Sequence, residues 1–220
     1  MDTEAARERM VDRLRRRREV DPAVLEALAS VPRHEFVPGH GTGAAYADRP
    51  LPIGGDQTVS APSVVALMCG LLDVGPGDDV LEIGTGCGYH AAVTAELVDP
   101  GTVYSVEYDP DLAADARERL ARLGYDSVRV RVGDGHEGWP EHAPYDAAYL
   151  TCAAPEVPDA VVEQVRAGGR VVAPVGPADG PFGGSQRLIR LTVREDGVDR
   201  DDHGGVRFVP MRGGDGDPTG

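Results

Sequence analysis

The sequence predicts an α/β fold with a mostly parallel, doubly wound sheet, and two patterns in the chain support this prediction. From residue 79 onwards, short apolar segments alternate with longer amphipathic ones, as in strands joined by crossover helices. After residue 184, two segments that alternate apolar and polar residues follow each other without a helix, which indicates an antiparallel hairpin at the sheet edge. Helices are expected at the N-terminus, ahead of the sheet.

The N-terminal third is predicted to contain helices and one long loop. Residues 1–19 are rich in Arg and Glu and predict an exposed helix with a solvated face. Asp21 and Pro22 are residue types that begin a helix, so a short second helix is expected after them. The segment Val31–Pro62 contains five prolines and five glycines and is predicted to be largely irregular; a loop of that length in a compact domain is usually functional. Ser63–Leu72 predicts an apolar helix.

The remaining elements follow the alternation in order. The predicted strands are Val80–Ile83, Thr102–Glu107, Val128–Val132, Tyr145–Thr151 and Arg170–Pro174. The predicted helices between them are Tyr89–Leu97, Pro110–Leu123 and Val157–Val165. The edge hairpin is predicted from Arg187–Arg194 and Val206–Val209, and the Gly- and Asp-rich tail from residue 213 is predicted to be disordered.

Length and charge narrow the possible functions. The chain has 220 residues, of which 37 are acidic and 22 basic, with a net charge of −15, and every basic residue is Arg. A surface this acidic repels phosphate backbones, so nucleic acid is not an expected partner. A composition with many Asp residues and no Lys indicates a protein that stays soluble in concentrated salt, and hence a halophilic archaeal source. A high-GC codon bias is the alternative explanation of this composition.

The apolar segments and the cysteines indicate a cytoplasmic protein. No apolar segment approaches the roughly 20 residues of a membrane-spanning helix, and the first 18 residues lack the apolar stretch of a secretory signal. The three cysteines, Cys69, Cys87 and Cys152, are an odd number without metal-ligand spacing, so neither a disulfide framework nor a metal site is expected. We therefore expect no membrane contact and no bound metal.

A glycine-rich turn follows the first core strand. Gly84, Gly86 and Gly88 stand at every second position before the next helix begins. Glycines allow a tight turn and a close approach of a ligand to the backbone. A dinucleotide-binding loop has its third glycine one residue later, so this spacing favours a nucleoside without pyrophosphate, with S-adenosyl-L-methionine as the candidate cofactor. A tight turn that binds no ligand is the alternative.

Two carboxylates follow the next two strands. Glu107 ends the second core strand, where an acid can accept hydrogen bonds from both ribose hydroxyls of a nucleoside. Asp134, between Gly133 and Gly135, follows the third strand, where it can accept from an adenine amino group. A surface Glu and an ordinary Asp-Gly turn are the alternatives. Because open α/β sheets bind ligands at the carboxyl ends of their strands, the three features together predict a cofactor site.

The long loop carries the most specific motifs. Leu51–Pro62, together with Val31–Pro38 and Tyr46–Pro52, resembles the protein-L-isoaspartate O-methyltransferase family, and several of these motifs are peculiar to that family. The resemblance covers roughly residues 25–211 and continues through Leu81–Tyr89, Gly133–Gly135, Thr151–Pro155, Gly168–Gly176, Ser185-Gln186 and Phe208–Pro210.

This resemblance implies a Rossmann-like S-adenosyl-L-methionine-dependent methyltransferase fold and a repair activity. The family methylates the α-carboxyl of L-isoaspartyl residues in damaged proteins and peptides, leaving S-adenosyl-L-homocysteine, and the ester then closes to a succinimide. The resemblance places Ser60 at the catalytic position, with Thr58 and Val59 beside it next to the cofactor. Thr58, Val59 and Ser60 are all expected to contact the cofactor. The other expected cofactor-contacting positions are Gly84, Thr85, Gly86, Gly88, Glu107, Asp134 and Gly135.

The chemistry of the acceptor suggests what Ser60 does. A carboxylate is already ionised at pH 7, so no strong general base is required. A serine hydroxyl can bind one carboxylate oxygen and leave the other free to attack, so we expect Ser60 to orient the substrate and not to act as a covalent nucleophile. A serine that only stabilises the turn before Pro62 is the alternative.

The expected organisation is one structural domain in three parts, acting as a monomer. Residues 1–75 hold the N-terminal helices and the active-site loop, residues 76–212 form the cofactor-binding core, and residues 213–220 are the tail. A small-molecule carboxyl or hydroxyl methyltransferase and a catalytically idle cofactor-binding module are the alternative functions.

Four residues depart from the family pattern. Cys87 and His90 stand where the family usually has Ser and Gln, and Cys152 replaces a small residue. We expect the two cysteines to pack in the interior and His90 to lie at the surface or to cap a helix. Arg212 is a candidate to pair with a substrate carboxylate.

Overall fold

The computed structural model describes residues 2–16, 20–177 and 186–214. The N-terminal elements are α1 (Thr3–Arg15), α2 (Pro22–Ser30), α3 (Arg33–Phe36), α4 (Thr42–Ala45), β1 (Leu51–Gly54), β2 (Gln57–Val59) and α5 (Pro62–Leu72). The core elements are β3 (Val80–Ile83), α6 (Tyr89–Val98), β4 (Val103–Glu107), α7 (Pro110–Arg122), β5 (Val128–Val132), β6 (Tyr145–Leu150), α8 (Asp159–Glu163), β7 (Val165–Val175), β8 (Gln186–Arg194) and β9 (Gly197–Val206).

The central sheet confirms the predicted fold class. Its seven strands have the order β5-β4-β3-β6-β7-β8-β9. Strands β3 to β7 are parallel, whereas β8 and β9 pair antiparallel at one edge, as the hairpin prediction requires. The chain leaves β3 toward β4 on one side and returns to β6 on the other. The carboxyl end of β3 is therefore the point where the strand order reverses, which is where such sheets bind ligands.

The core lies on both faces of this sheet. Alternate residues of the central strands, such as Val80 and Leu81, belong to two separate clusters of buried side chains. The first cluster packs under α1, α2, α5 and α6, and the second includes Val161 of α8. Every residue of β3 and β4 is buried, as expected for parallel strands covered on both sides.

The predicted helix starts are confirmed by their caps. The Asp21 carboxylate accepts a hydrogen bond from the Ala23 N–H at 2.7 Å, and Asp109 does the same for the first turn of α7. Each cap is followed by a proline, which lacks the N–H that would need a partner there. The first helix differs from its prediction as a fully exposed element, because Met10, Val11 and Leu14 are buried against the core.

The prediction that Val31–Pro62 is largely irregular is wrong. The segment contains the short helices α3 and α4, and β1 and β2 pair as an antiparallel hairpin. The hairpin turn consists of Gly55 and Asp56, and both have positive φ, as does Gly54 at the end of β1. The glycines that suggested an unstructured loop instead supply the left-handed backbone that a tight turn needs.

Two later boundaries are also corrected. The helix predicted at Val157–Val165 spans only Asp159–Glu163, because Val165 already pairs with Tyr145 in the sheet. The last strand is Gly197–Val206 and not Val206–Val209. It is a polar edge strand held to β8 by Arg–Asp pairs such as Arg190–Asp201 at 2.7 Å, so it has no apolar alternation to detect.

Within the described residues, no helix has the length and apolarity needed to cross a membrane. The same part of the chain contains no group of three His, Cys, Asp or Glu side chains placed to hold a metal ion. The predicted tail lies mostly outside the described residues, which end at Gly214.

Candidate functional site

A cleft of about 550 Å³ opens at the carboxyl ends of the central strands. Its walls are the glycine loop after β3, the end of β4 and the C-terminal segment Val209–Arg212. The β1–β2 hairpin contributes Ile53 and Thr58. Two further cavities, of about 590 and 320 Å³, also border Ile53 and Gly86, so three cavities meet at the hairpin.

The glycine loop uses each of its glycines differently. Gly84, Gly86 and Gly88 have φ values of 96°, 53° and 87°, which side-chain-bearing residues rarely adopt. Gly84 and Gly86 line the cleft. Gly88 lies on the other side of the loop, where a Cβ would come within 3.2 Å of the Leu120 side chain in α7. Its role in this structure is close packing of α6 against α7, not a wall of the cleft.

Glu107 is fixed in the cleft by the glycine loop itself. Its Oε2 accepts a hydrogen bond from the Gly86 N–H at 2.8 Å, and its Oε1 accepts from the Asp109 N–H at 3.0 Å. Two amides therefore hold the carboxylate in one orientation, and each oxygen keeps a further acceptor position. A pair of neighbouring hydroxyls, such as those of a ribose, matches that arrangement.

Asp134 is close to the cleft but is largely occupied. Its Oδ1 accepts from the backbone N–H of His136 at 2.9 Å and lies 2.7 Å from His136 Nδ1, and its Oδ2 accepts from the Gly214 N–H at 2.7 Å. Burial alone would raise the pKa of Asp134, but these hydrogen bonds hold it below its ordinary value. One acceptor position on Oδ2 is left by the described residues. Gly135, the next residue, is buried and lines the cleft.

The hairpin places Ser60 beside the cleft and not inside it. Val59 and Ser60 line the 320 Å³ cavity, which shares Thr58 and Gly84 with the cleft. The Ser60 hydroxyl has no hydrogen-bond partner among the described residues, whereas its backbone carbonyl accepts from Arg33 at 2.9 Å. The hydroxyl is therefore available to a ligand that enters between the hairpin and the glycine loop.

The cleft fits S-adenosyl-L-methionine. Gly84 and Gly135 both line the cleft, and a Cβ at either position would collide with the protein's own side chains, Thr151 and Ile83 respectively, so the cleft floor there is backbone without side chains. Glu107 offers acceptors to a ribose. The described residues around the cleft carry no cluster of basic side chains of the kind that would hold a pyrophosphate, since Arg212 is the single cation on its wall.

Comparison with known proteins finds similar sequences over nearly the whole chain. The family model for protein-L-isoaspartate(D-aspartate) O-methyltransferase (PCMT) matches residues 5–216. Protein-L-isoaspartate O-methyltransferase 2 of Archaeoglobus fulgidus is 52% identical over 215 residues, which cover 97% of this chain and 95% of the relative. The enzyme of Methanopyrus kandleri is 50% identical and covers 96% and 93%.

The chain belongs to the protein-L-isoaspartate O-methyltransferase family. A solved protein-L-isoaspartate O-methyltransferase superposes with a TM-score of 0.86 at 31% identity, over 94% of this chain and 66% of that one. A Plasmodium falciparum PCMT structure in complex with S-adenosyl-L-homocysteine shares the fold, with a TM-score of 0.79 at 22% identity, and covers 94% and 98%. The chain is accordingly an S-adenosyl-L-methionine-dependent methyltransferase.

Behind the glycine loop, this methyltransferase has a buried polar network centred on Glu82. Tyr149 donates to Glu82 Oε1 at 2.8 Å, and Ser105 bonds to Oε2. Thr85 contacts Ser105 with its hydroxyl at 2.6 Å. Burial raises the pKa of Glu82 to about 8 despite these hydrogen bonds, so the carboxyl is mainly protonated at neutral pH. Thr85, predicted to contact the cofactor, directs its side chain into this network.

The prediction of a surface or capping position for His90 is wrong. His90 is 5% exposed, its Nε2 lies 3.5 Å from Cys69 Sγ, and its ring packs on Tyr149 with centroids 4.4 Å apart. Burial lowers the pKa of His90 to about 3, so the imidazole is neutral. Cys87 and Cys152 are buried free thiols as predicted, and burial raises the pKa of both, to about 12 for Cys152.

Arg212 is held at the mouth of the cleft by two neighbouring side chains. Its Nη1 lies 3.6 Å from Asp109 Oδ2, and its guanidinium carbon lies 5.3 Å from the centroid of the Tyr108 ring. Sequence reasoning missed Tyr108, Ile53 and Met211 as cleft residues. Tyr108 directly follows Glu107 and could have been found from that position, whereas the other two depend on how the hairpin and the C-terminal segment fold over the sheet.

Proposed function

We propose that this enzyme transfers a methyl group from S-adenosyl-L-methionine to the α-carboxyl of L-isoaspartyl residues in damaged proteins and peptides, and so starts their repair through a succinimide. The relatives that carry this name support the proposal, because they match nearly the whole chain. The structural observation that supports it most directly is the unpartnered Ser60 hydroxyl in a cavity that joins the cofactor cleft. A second cavity, which shares Ile53, Gly86 and Cys87 with the Ser60 cavity, offers adjoining space for a peptide.

The cofactor would be held by residues of the cleft. Glu107 would accept from the ribose hydroxyls, Gly84 and Gly86 would allow close backbone approach, and Asp134 would offer its remaining acceptor position to the adenine amino group. Thr58, and on the cavity side Val59 and Ser60, would border the reactive end. When bound, S-adenosyl-L-methionine supplies an electrophilic methyl group.

The chain's own task is to bind, dehydrate and orient the acceptor. The substrate carboxylate is ionised at pH 7, and the described residues that line the Ser60 cavity include no Asp or Glu that could act as a general base. The Ser60 O–H donates to one carboxylate oxygen and leaves the other free. The apolar side chains on the cavity wall, such as Val59 and Val65, would help to exclude water from the attacking oxygen. His90 remains neutral and moves no proton.

The test is methylation of matched peptides. Labelled cofactor is incubated with an isoaspartyl peptide and with its aspartyl twin, and only the first is expected to be methylated. Ser60→Ala is expected to lower turnover about ten- to hundredfold, the effect of losing a hydrogen bond to a charged group, with unchanged affinity for S-adenosyl-L-homocysteine. Ser63→Ala, three residues away in the first turn of α5, is the matched control. Methylation of both peptides, or of small carboxylic acids alone, would contradict the proposed substrate.

We further propose that the enzyme works as a cytoplasmic monomer adapted to concentrated salt, without nucleic acid or membrane partners. The net charge of −15 and the complete use of Arg in place of Lys support this. The Arg–Asp pairs along β8 and β9 show how such a surface balances part of its own charge. Light scattering in molar KCl tests the oligomeric state; a dimer would contradict it.

A further inference from the structure

A fully buried cation, Arg33 at the start of α3, contacts the Ser60 backbone, and no step of the mechanism above uses it. Arg33 is 0% exposed. Its Nε–H donates to the Ala45 carbonyl at 2.8 Å, and its Nη2–H donates to the Ser60 carbonyl at 2.9 Å. Its guanidinium carbon lies 4.5 Å from the centroid of the Tyr89 ring, at the start of α6. One side chain thus connects α4, the serine and the helix that follows the glycine loop.

Ser60 depends on this contact because of its place in the chain. It lies after the last residue of β2 and before α5, so its carbonyl belongs neither to the hairpin ladder nor to the helix. The planar guanidinium forms its two hydrogen bonds at a fixed separation, whereas a Lys ammonium cannot reproduce that fork. The backbone that carries the Ser60 hydroxyl is therefore oriented by Arg33.

The charge of Arg33 is also not neutralised locally. Among the described residues, Arg33 forms no ion pair, and its Nη1 has no hydrogen-bond partner. A buried charge without a counter-ion is costly unless a ligand of opposite sign gains from it. The ligand expected at Ser60 is a carboxylate, which has the opposite sign.

We infer that Arg33 is a positioning residue of methyl transfer: its fork fixes the Ser60 backbone, and its unpaired charge favours the carboxylate acceptor. This inference rests on the proposed function. It assigns two separable effects to one side chain, because orientation of Ser60 governs kcat, whereas attraction of the carboxylate governs KM for the peptide.

The test compares Arg33→Lys and Arg33→Met with the wild type, using an isoaspartyl peptide and the full chain. S-adenosyl-L-homocysteine titration counts intact sites, and kcat is expressed per intact site. Arg33→Lys keeps the charge but loses the fork, so we expect kcat to fall about tenfold with a nearly unchanged KM. Arg33→Met loses both and should also raise KM. The affinity for S-adenosyl-L-homocysteine should stay within about twofold of wild type in both.

Leu188→Ala, in β8 and fully buried, is the control for destabilisation without contact to the site. A purely structural role for Arg33 predicts that its variants behave like Leu188→Ala, with fewer intact sites but wild-type kcat per site, and that result overturns the inference. If Arg33→Met does not fold, Arg33→Lys alone decides.

A double-variant cycle adds a criterion that stability does not affect. Since Arg33 acts through Ser60, Arg33→Lys should lower kcat much less in the Ser60→Ala background than in the wild type. Full additivity contradicts the inference. Failure of the wild type to methylate the isoaspartyl peptide would instead contradict the proposed function, so the two failures are distinguishable.

Discussion

Replacement of Glu82 by Gln should make this enzyme more stable at neutral pH, although the residue is fully buried in a hydrogen-bonded network. Glu82 accepts from Tyr149 and bonds to Ser105, which in turn contacts Thr85. A protonated carboxyl and a Gln amide have nearly the same shape, and each offers an acceptor oxygen and a donor to the two partners, while the Gln amide carries one additional N–H. The Gln side chain can therefore accept from Tyr149 and donate to Ser105 without a new void.

The magnitude follows from the pKa. Burial raises the pKa of Glu82 from 4.5 to about 8. The folded state therefore binds the proton more tightly than the unfolded state. The contribution of this proton binding to the free energy of unfolding is fully present below pH 4.5 and is lost as the pH rises toward 8. Between pH 5 and pH 7.5 this loss amounts to about 3 kcal/mol in the free energy of unfolding. The Gln side chain has no proton to lose, so the variant does not show this loss of stability with rising pH.

The assay is urea unfolding of wild type and Glu82→Gln at pH 5 and pH 7.5 in the same salt, followed by the fluorescence of Trp139, the one tryptophan of the chain. All other titrating groups cancel in the difference between the two proteins. We expect the free energy of unfolding of the variant, relative to that of the wild type, to rise by about 3 kcal/mol between pH 5 and pH 7.5; the additional N–H of Gln contributes an offset that is the same at both pH values. A difference that does not change with pH would show that Glu82 is not protonated in the folded state, and the reasoning would be refuted.

Three further predictions concern the cofactor cleft and the surface. Gly84→Ala should destabilise the fold by about 1–3 kcal/mol and weaken S-adenosyl-L-homocysteine binding in calorimetry, because its φ is 96° and its Cβ would collide with Thr151, whereas Gly43→Ala has free space and should be nearly neutral. Glu107→Gln should weaken cofactor binding about tenfold or more by calorimetry, because an amide nitrogen cannot accept from the Gly86 or Asp109 N–H; unchanged affinity would remove Glu107 from the site. The melting temperature should rise with KCl up to molar concentration, since screening relieves the repulsion among 37 acidic residues. A melting temperature that does not change with KCl would argue against adaptation to salt.

The sheet could be predicted from the sequence because its pattern is local. Val80–Ile83 and Val128–Val132 have the predicted bounds, since each is a short apolar or alternating segment between turn residues. Gly197–Val206 was not found, because an exposed edge strand stabilised by ion pairs has no hydrophobic period. The β1–β2 hairpin was missed for a related reason: its glycines and prolines are common to hairpin turns and to irregular loops.

The candidate site could be predicted in its composition but not in its arrangement. Glu107, Gly84, Gly86 and Gly135 do line the cleft. Thr85 and Gly88, from the same motif, instead contact Ser105 and Leu120. A motif specifies the backbone conformation of a turn, whereas the direction of each side chain depends on the helices packed around it.

By itself, the sequence determined the fold class, through the periodicity of its apolar residues, and the glycine-rich turn, through residue types at short spacing, while its resemblance to known sequences indicated the family. The tertiary structure alone decided that Arg33 holds Ser60, that Glu82 keeps its proton and that His90 is buried and neutral. Those properties depend on burial and on contacts between residues 21 or more positions apart, such as Cys69 and His90, Arg33 and Ser60, or Glu82 and Tyr149. Desolvation acts on a side chain only once the chain has folded around it, so no local pattern carries that information.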